Sequence, residues 1–484
     1  MSSLIIYNIF FHPLRKYPGP RLAAITPFYW LYYLLRGKGI ALTHRLHEEY
    51  GHVVRVRPST LSFTHPQAFK DIYGHRADGV SLAKDPRFYG PDAFAKGNET
   101  GSIFRAAEKD HARQRKLMSP AFAEKSLKAQ EPLLHQYVDL LITRLVEKSQ
   151  SGDGKANLVD WYNFTTFDIM GDLAFGEPLD HLVNGDYSEW VRAVLSTFIF
   201  GAYAQVPRAF PILNWLVLKV LPKSVKEKTA YYTKYSAERV DRRLKMKTDR
   251  PDIWNTILSH TKSAEKGMSL NEMHGNGLTL MVAGTETTST LLSGLTYLLT
   301  INPTCLSRLV DEIRAAFPTR ASINMQELAS MKYLNACIEE GLRMYPPVAT
   351  GMPRVVPSQG ATICDEFIPG GVVVSGPIHA AAHSSLNFAS PNDFIPERWL
   401  PDCDERFKSD QKLASQPFLL GPRNCIGKNL AYHEIRLIMA NVLWNFDIEL
   451  CEESKGWLEQ DAYFVWEKPP LVVQLRPSSI SVVS

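Results

Sequence analysis

The stretch from residue 271 to residue 300 constrains this chain more than any other. Leu278, Leu280, Met281, Val282, Leu291, Leu292, Leu295, Leu298 and Leu299 recur so densely along it that little room is left for a charged face. A helix that is apolar on nearly all sides has to be buried within other elements. Glu286 interrupts the pattern and Pro303 stops it. Such a helix needs a large shell around it, which 484 residues can supply, although length alone would also allow two or three domains.

The rest of the chain reads as that shell. Residues 108–149 and 187–247 carry apolar positions at helical spacing with Lys, Arg and Glu between them. Residues 328–344 predict a further helix, ended by Pro346 and Pro347. Alternation over residues 52–63, broken by Pro58, predicts a short hairpin; residues 361–368 and 372–375 predict more strands. A last helix is expected just after Cys425. No repeat period and no flexible linker follows residue 30. The expectation is a mainly α fold with small β-sheets (α+β), residues 23–484 forming one domain behind an apolar, proline-rich hinge at residues 1–22. In that hinge Pro13, Pro18 and Pro20 predict an extended path.

Composition removes several classes. With 45% hydrophobic and 21% charged residues the chain is neither disordered nor fibrous, and a net charge of +4 is too small to argue for nucleic acid. Six cysteines lie far apart, without the dense spacing of a disulfide framework, so a reducing compartment is expected. Residues 4–11 are apolar over about half the length that a spanning helix needs. They could lie on a membrane or pack on the protein itself.

The densest local signal is Phe418-Leu419-Leu420-Gly421-Pro422-Arg423-Asn424-Cys425-Ile426-Gly427, with five spaced residues arranged FxxGxRxCxG before a helix. At average residue usage such a match would arise by accident on the order of once in ten thousand chains of this size. A thiolate needs help to stay ionised, and a helix N-terminus offers positive potential and free N–H groups. Gly421 and Gly427 let the backbone come close to a flat group or take positive φ. The plainer reading, a buried and inert cysteine, does not account for the glycines or for Arg423.

Three other motifs stand in order before it: Ala283-Gly284-Thr285-Glu286-Thr287-Thr288 in the long helix, Glu340-Gly341-Leu342-Arg343, and Pro396-Glu397-Arg398-Trp399. Together with the cysteine loop they resemble the cytochrome P450 family over residues 12–484. The entry His12-Pro13-Leu14-Arg15-Lys16-Tyr17-Pro18-Gly19-Pro20 is similar to that of fungal microsomal members. The resemblance implies the P450 fold, with haem b held between the long helix and the cysteine loop, Cys425 as iron ligand, and a monooxygenase acting on a lipophilic small molecule. It also implies electrons from NADPH through a partner reductase, a membrane surface at the cytosolic face of the endoplasmic reticulum, and a role in secondary metabolism.

On that footing each motif acquires a role. Gly284 removes a side chain where a ligand approaches, beside Ala283, and the Thr287 hydroxyl can bond a carbonyl one turn back or a diatomic ligand. Glu286 and Thr287 form an acid and alcohol pair able to relay protons. Arg115, Arg354 and Arg423, with His111 where the family more often has Trp, are candidate donors to the two propionates. Phe418 and Gly427 complete the ligand loop. Glu340, Arg343 and Arg398 would lock that loop and serve folding. Lys428, Arg113 and Lys116 mark a positive face for the electron donor.

Substrate positions follow from the resemblance alone: Phe104, Leu280 and Ala283, residues 348–352 with Val348 and Met352, and Tyr463. No charge lies in these stretches, so a mostly neutral substrate is expected. Two other functions stay open, a haem-thiolate isomerase, dehydratase or peroxygenase that needs no reductase, and a non-catalytic haem-binding protein. Consumption of NADPH and O₂ with a reductase present separates them.

Overall fold

The computed structural model describes residues 2–76, 81–90, 101–220, 222–246, 248–259 and 267–480. The apolar stretch forms one helix, Leu270–Thr300, and its burial is what organises the molecule. Ser269 and Glu272 close its N-terminus as a capping box, each side chain bonding the other's backbone N–H. The helix Leu158–Phe175, buried along nearly its whole length, packs beside it, and Glu124–Gln150 and Lys428–Asn445 join the same core. Large apolar side chains such as Trp190, Trp254, Phe167 and Trp444 fill the gaps.

Three small sheets complete the described fold. In the largest, Val53–Arg57 pairs antiparallel with Thr60–Phe63, which runs parallel to Val373–Ser375; Arg354–Val355 and Ala83–Lys84 follow, both antiparallel. Lys155–Asn157, Val472–Pro477 and Phe446–Leu450 make a three-stranded sheet, and Ala361–Ile363 pairs with Glu366–Ile368.

Where the fold departs from expectation, the reasons are local. Residues 13–16 form a 3₁₀ turn and Arg21–Ile25 a short helix, because a proline at or before the first helical position has no N–H to lose. This segment is tied to the body: Leu14 and Tyr17 are buried, and Arg55 N–H donates to the Pro18 carbonyl at 2.8 Å. The helix expected over residues 328–344 breaks at Met331 into Met325–Ser330 and Lys332–Met344. The helical pattern of residues 187–247 is divided into Glu189–Tyr203, Gln205–Arg208, Pro211–Val220 and Lys223–Lys245; its end at Lys247 lies outside the described residues. No helix among the described residues is long and apolar enough to cross a membrane.

Candidate haem-thiolate site

Apart from Leu270 at its start, the central helix is exposed at one residue. Ala283 is exposed while Met281, Thr285 and Glu286 around it are buried. One turn later Thr287 Oγ1 donates to the Ala283 carbonyl at 2.6 Å, which places an alcohol on that open side. Gly284 has a different purpose from the one expected of it. A Cβ there would meet Met170 Sδ at 2.7 Å, so the missing side chain lets the helix Leu158–Phe175 pack close and does not face the opening. Leu280 is buried in the core.

Glu286 and Thr287 are neighbours in sequence, but consecutive helical residues point about 100° apart. Glu286 is buried and ion-paired with Lys468, which also donates to Thr290 Oγ1 at 2.6 Å. Among the described residues no hydrogen bond joins the Glu286 and Thr287 side chains, and Glu286 Oε2 has no partner.

Cys425 sits in a tight loop. Its N–H donates to the Phe418 carbonyl at 2.9 Å, and Phe418 packs on Tyr432. Gly421 has φ +72°, and a Cβ would lie 2.1 Å from the Tyr73 carbonyl oxygen, so only glycine fits. Gly427 differs: its φ is −86°, and a Cβ would stand 4.0 Å from Cys425 Sγ. The cysteine is exposed, yet burial pushes its thiol above the usual range, while the Gly427 N–H, Arg115 and Lys428 pull it back. Both facts hold if the side chain opens into an enclosed recess and not into bulk water. Helix-terminal potential therefore does not ionise this thiol by itself; a coordinated cation would.

Beside the loop lies a cluster of cations. Arg115, on the helix Glu108–Met118, donates to Asn424 O at 2.7 Å, next to the cysteine. Arg423 donates to Ala106 O at 3.0 Å and pairs with Glu108. Arg354, buried in its strand, bonds Tyr89 Oη. Burial and the charges of Arg423, Lys84, Arg115 and Arg354 drive the pKa of His111 down to about 3. Lys84 falls to about 6, through burial first and then Arg423, Arg354 and Arg105, against Glu108. Nothing in the sequence around Lys84 marked it; it comes to the cluster only because its strand pairs with Arg354–Val355. So many cations with one exposed carboxylate among them call for an anion.

The residues thus fit a flat, iron-bearing group with two acid side chains. Cys425 could hold the iron, Ala283 and Gly427 leave room near it, and Arg115, Arg354, Arg423, His111 and Lys84 could hold the carboxylates.

The three lock residues meet with no exposed surface. Arg343 grips both Glu340 oxygens at 2.8 Å and donates to the carbonyls of Ala382, Pro391 and Asp393; Arg398 donates to Glu340 at 3.1 Å. Asp410, which sequence reasoning missed, accepts from Arg398 at 2.5 Å and balances the second arginine. Burial alone would raise the Glu340 carboxyl, but the two arginines and the Ile395 N–H hold it below the usual range. Of the other expected positions, Phe104 packs on Tyr89, whose hydroxyl reaches Met352 Sδ at 3.7 Å. Val348 bridges to Val465, and Tyr463 lies against Tyr203.

Comparison with known proteins agrees with this geometry. A family model described as Cytochrome P450 matches residues 18–475. The cytochrome P450 monooxygenase efuB of Hormonema carpetanum is 47% identical over 479 residues, covering 98% of this chain and 94% of that protein. FUM2 of Gibberella moniliformis, likewise a cytochrome P450 monooxygenase, is 44% identical over 480 residues, covering 97% and 99%. The monooxygenase astJ of Aspergillus oryzae is 42% identical over 478 residues, covering 98% and 94%. With a cysteine opened into a cation-rimmed recess and relatives matched along nearly the whole length, this chain belongs to the cytochrome P450 family of haem-dependent monooxygenases.

Proposed function

We propose that the protein oxidises a lipophilic small molecule of fungal secondary metabolism at the cytosolic face of the endoplasmic reticulum, with electrons from NADPH through a P450 reductase. The observation that carries the catalytic part is the exposure of Cys425 beside the cation cluster. Haem bound there supplies the activation of O₂. The protein's own part is to present the Cys425 sulfur, neutralise the acid groups, keep water out with Leu280 and Phe418, and hold a proton at Thr287 Oγ1.

Membrane attachment is supported by an apolar outer surface. Phe10, Phe11, Phe28 and Tyr32 are exposed near the N-terminus, and Phe200, Ile212, Trp215 and Val220 on the helices that follow Ser188. Phe28 stacks on Phe210 at 5.1 Å, which brings the N-terminal segment against the helices that carry the second group.

Replacing Cys425 by Ser tests the reading. The reduced wild-type protein with carbon monoxide is expected to show the red-shifted band of thiolate ligation, and the variant to lose it. Retention of the band would remove Cys425 as ligand. NADPH and O₂ consumption coupled to a reductase then separates a monooxygenase from a reductase-independent haem-thiolate enzyme or a haem carrier.

A further inference from the structure

A cavity of about 250 Å³ lies between the helix Phe28–Leu35, the hairpin Val53–Arg57 and Thr60–Phe63, and residues 349–351. Its walls are mixed. Trp30, Leu31, Leu34 and Phe88 give apolar surface; Thr43 and Ser62 give hydroxyls. One wall carries Arg57.

That guanidinium is peculiar for a group so enclosed. It lies 3.5 Å from the centre of the Trp30 ring, yet among the described residues it makes no hydrogen bond and no ion pair, and its Nε is buried without a partner. The nearby carboxylate is already engaged: Asp85 takes Arg87 Nε at 2.9 Å and its terminal nitrogen at 3.1 Å. Burial lowers the pKa of Arg57 only to about 10, so the side chain is charged at neutral pH. The residue is half-buried, and its charge is open to an anion in the cavity. Stacking on Trp30 fixes the plane of the fork, the geometry that suits a carboxylate.

The cavity also borders the apolar face. At its outer side Leu31, Leu34 and Tyr463 pack with Ala202 and Phe210, directly beneath the apolar face that carries Phe28 and Phe200. At its inner side Phe88 precedes Tyr89, which stacks on Phe104 and bonds Arg354 in the cation cluster. Gly351 precedes Met352. The cavity thus adjoins segments of both the apolar face and the cation cluster.

We propose that this cavity is a substrate anteroom in which Arg57 grips the carboxylate of a lipophilic acid, so that the enzyme selects acids over neutral analogues. The inference rests on the monooxygenase reading and adds the substrate's chemical class to it. It departs from the neutral substrate that the sequence led us to expect, because Arg57 lies on a strand far from the stretches that suggested substrate contacts.

The test compares dodecanoate with dodecanamide, of equal length and shape, by calorimetric titration of the haem-loaded protein. Wild type is expected to prefer the acid. Arg57→Gln is expected to weaken dodecanoate binding about ten- to a hundredfold, the loss typical of a hydrogen bond to a charged group, while dodecanamide changes by less than about twofold. Arg57→Lys should retain part of the preference; it also serves if the glutamine variant does not hold haem. Equal binding of acid and amide by wild type would overturn the proposal. So would equal loss of both in the variant, which would make Arg57 only a brace for Trp30. Weakened binding to phosphatidylserine vesicles with unchanged dodecanoate affinity would assign the cation to a lipid headgroup and likewise overturn it. The carbon monoxide band and amide turnover, recorded alongside, report on the monooxygenase reading separately.

Discussion

Lys468 reaches from the C-terminal segment to the central helix and forms an ion pair with Glu286, both side chains almost wholly buried. The two stand 182 residues apart in sequence. The carboxylate next to Thr287 is thus anchored to a lysine, and the Thr287 hydroxyl faces the opening alone.

Removing one partner of a buried pair leaves an uncompensated charge, usually at a cost of about 3–5 kcal/mol. Lys468→Met is therefore expected to lower thermal stability strongly, and Glu286→Gln in the same background to restore much of it. Thermal melts of the four proteins of the cycle measure the coupling. Additive losses would mean that the pair contributes nothing jointly.

The lock gives a second expectation. Arg343 and Arg398 are balanced by Glu340 and Asp410, all without exposed surface. Asp410→Ala would leave Arg398 one acceptor short, with a loss again of about 3–5 kcal/mol, whereas Asp410→Asn keeps an oxygen in place and should lose less. Arg343→Lys cannot serve Glu340 and three carbonyls with one ammonium, so its haem-loaded yield should fall. Haem content per protein after purification is the measurement; normal content in both Asp410→Ala and Arg343→Lys would sink the locking role.

Much of this was legible in sequence where the chemistry is local. The ligand loop, the apolar helix and the Glu340–Arg343 pair each lie within a few residues, and spacing there determines which side chains share a face. Lys84, Arg57, Asp410 and Lys468 were not legible. Each looks like an ordinary surface charge in its own segment, and its partners arrive only through strand pairing or packing across a long stretch of chain. Gly284 shows the converse: its motif was visible, but the close approach of Met170 that requires it was not. Arg113, expected on the positive face, instead pairs with Glu272 and Asp110, because the N-terminus of the central helix lies against its helix.

Glu434 carries a pH expectation. It is buried on the helix that follows the ligand loop, with Oε1 unpartnered among the described residues, and burial pushes its carboxyl up to about 8 against the pull of Thr288. In the unfolded chain the same group titrates at about 4.3. Between these values the folded state keeps a proton that the unfolded state releases, so stability falls as pH rises from about 4.3 to about 8, by up to roughly 1.4 kcal/mol per pH unit, and is flat above. Glu434→Gln should remove this part of the slope and be the more stable protein near pH 8. Denaturant unfolding of both proteins across that window checks it; parallel curves would exonerate Glu434.

The last expectation concerns the electron donor. Lys428 begins the helix after the ligand loop and is exposed, its ammonium lying over Phe418 and Tyr432. Lys116 is exposed on the helix whose Arg115 bonds Asn424, so both lysines flank the segment that carries Cys425. Among the described residues neither is in an ion pair, while Arg113 on the same helix is already neutralised. A reductase with an acidic docking face would be steered to these two charges, and steering by rim charges acts on association rate and fades as salt screens it. Lys116→Glu combined with Lys428→Glu should therefore slow reduction by the reductase at low ionic strength, with the difference from wild type shrinking as salt is raised. Substrate affinity should change little, since neither residue lines the anteroom. Stopped-flow reduction over a salt series decides the matter: wild-type rates in the double variant at low salt would place the donor's docking site elsewhere.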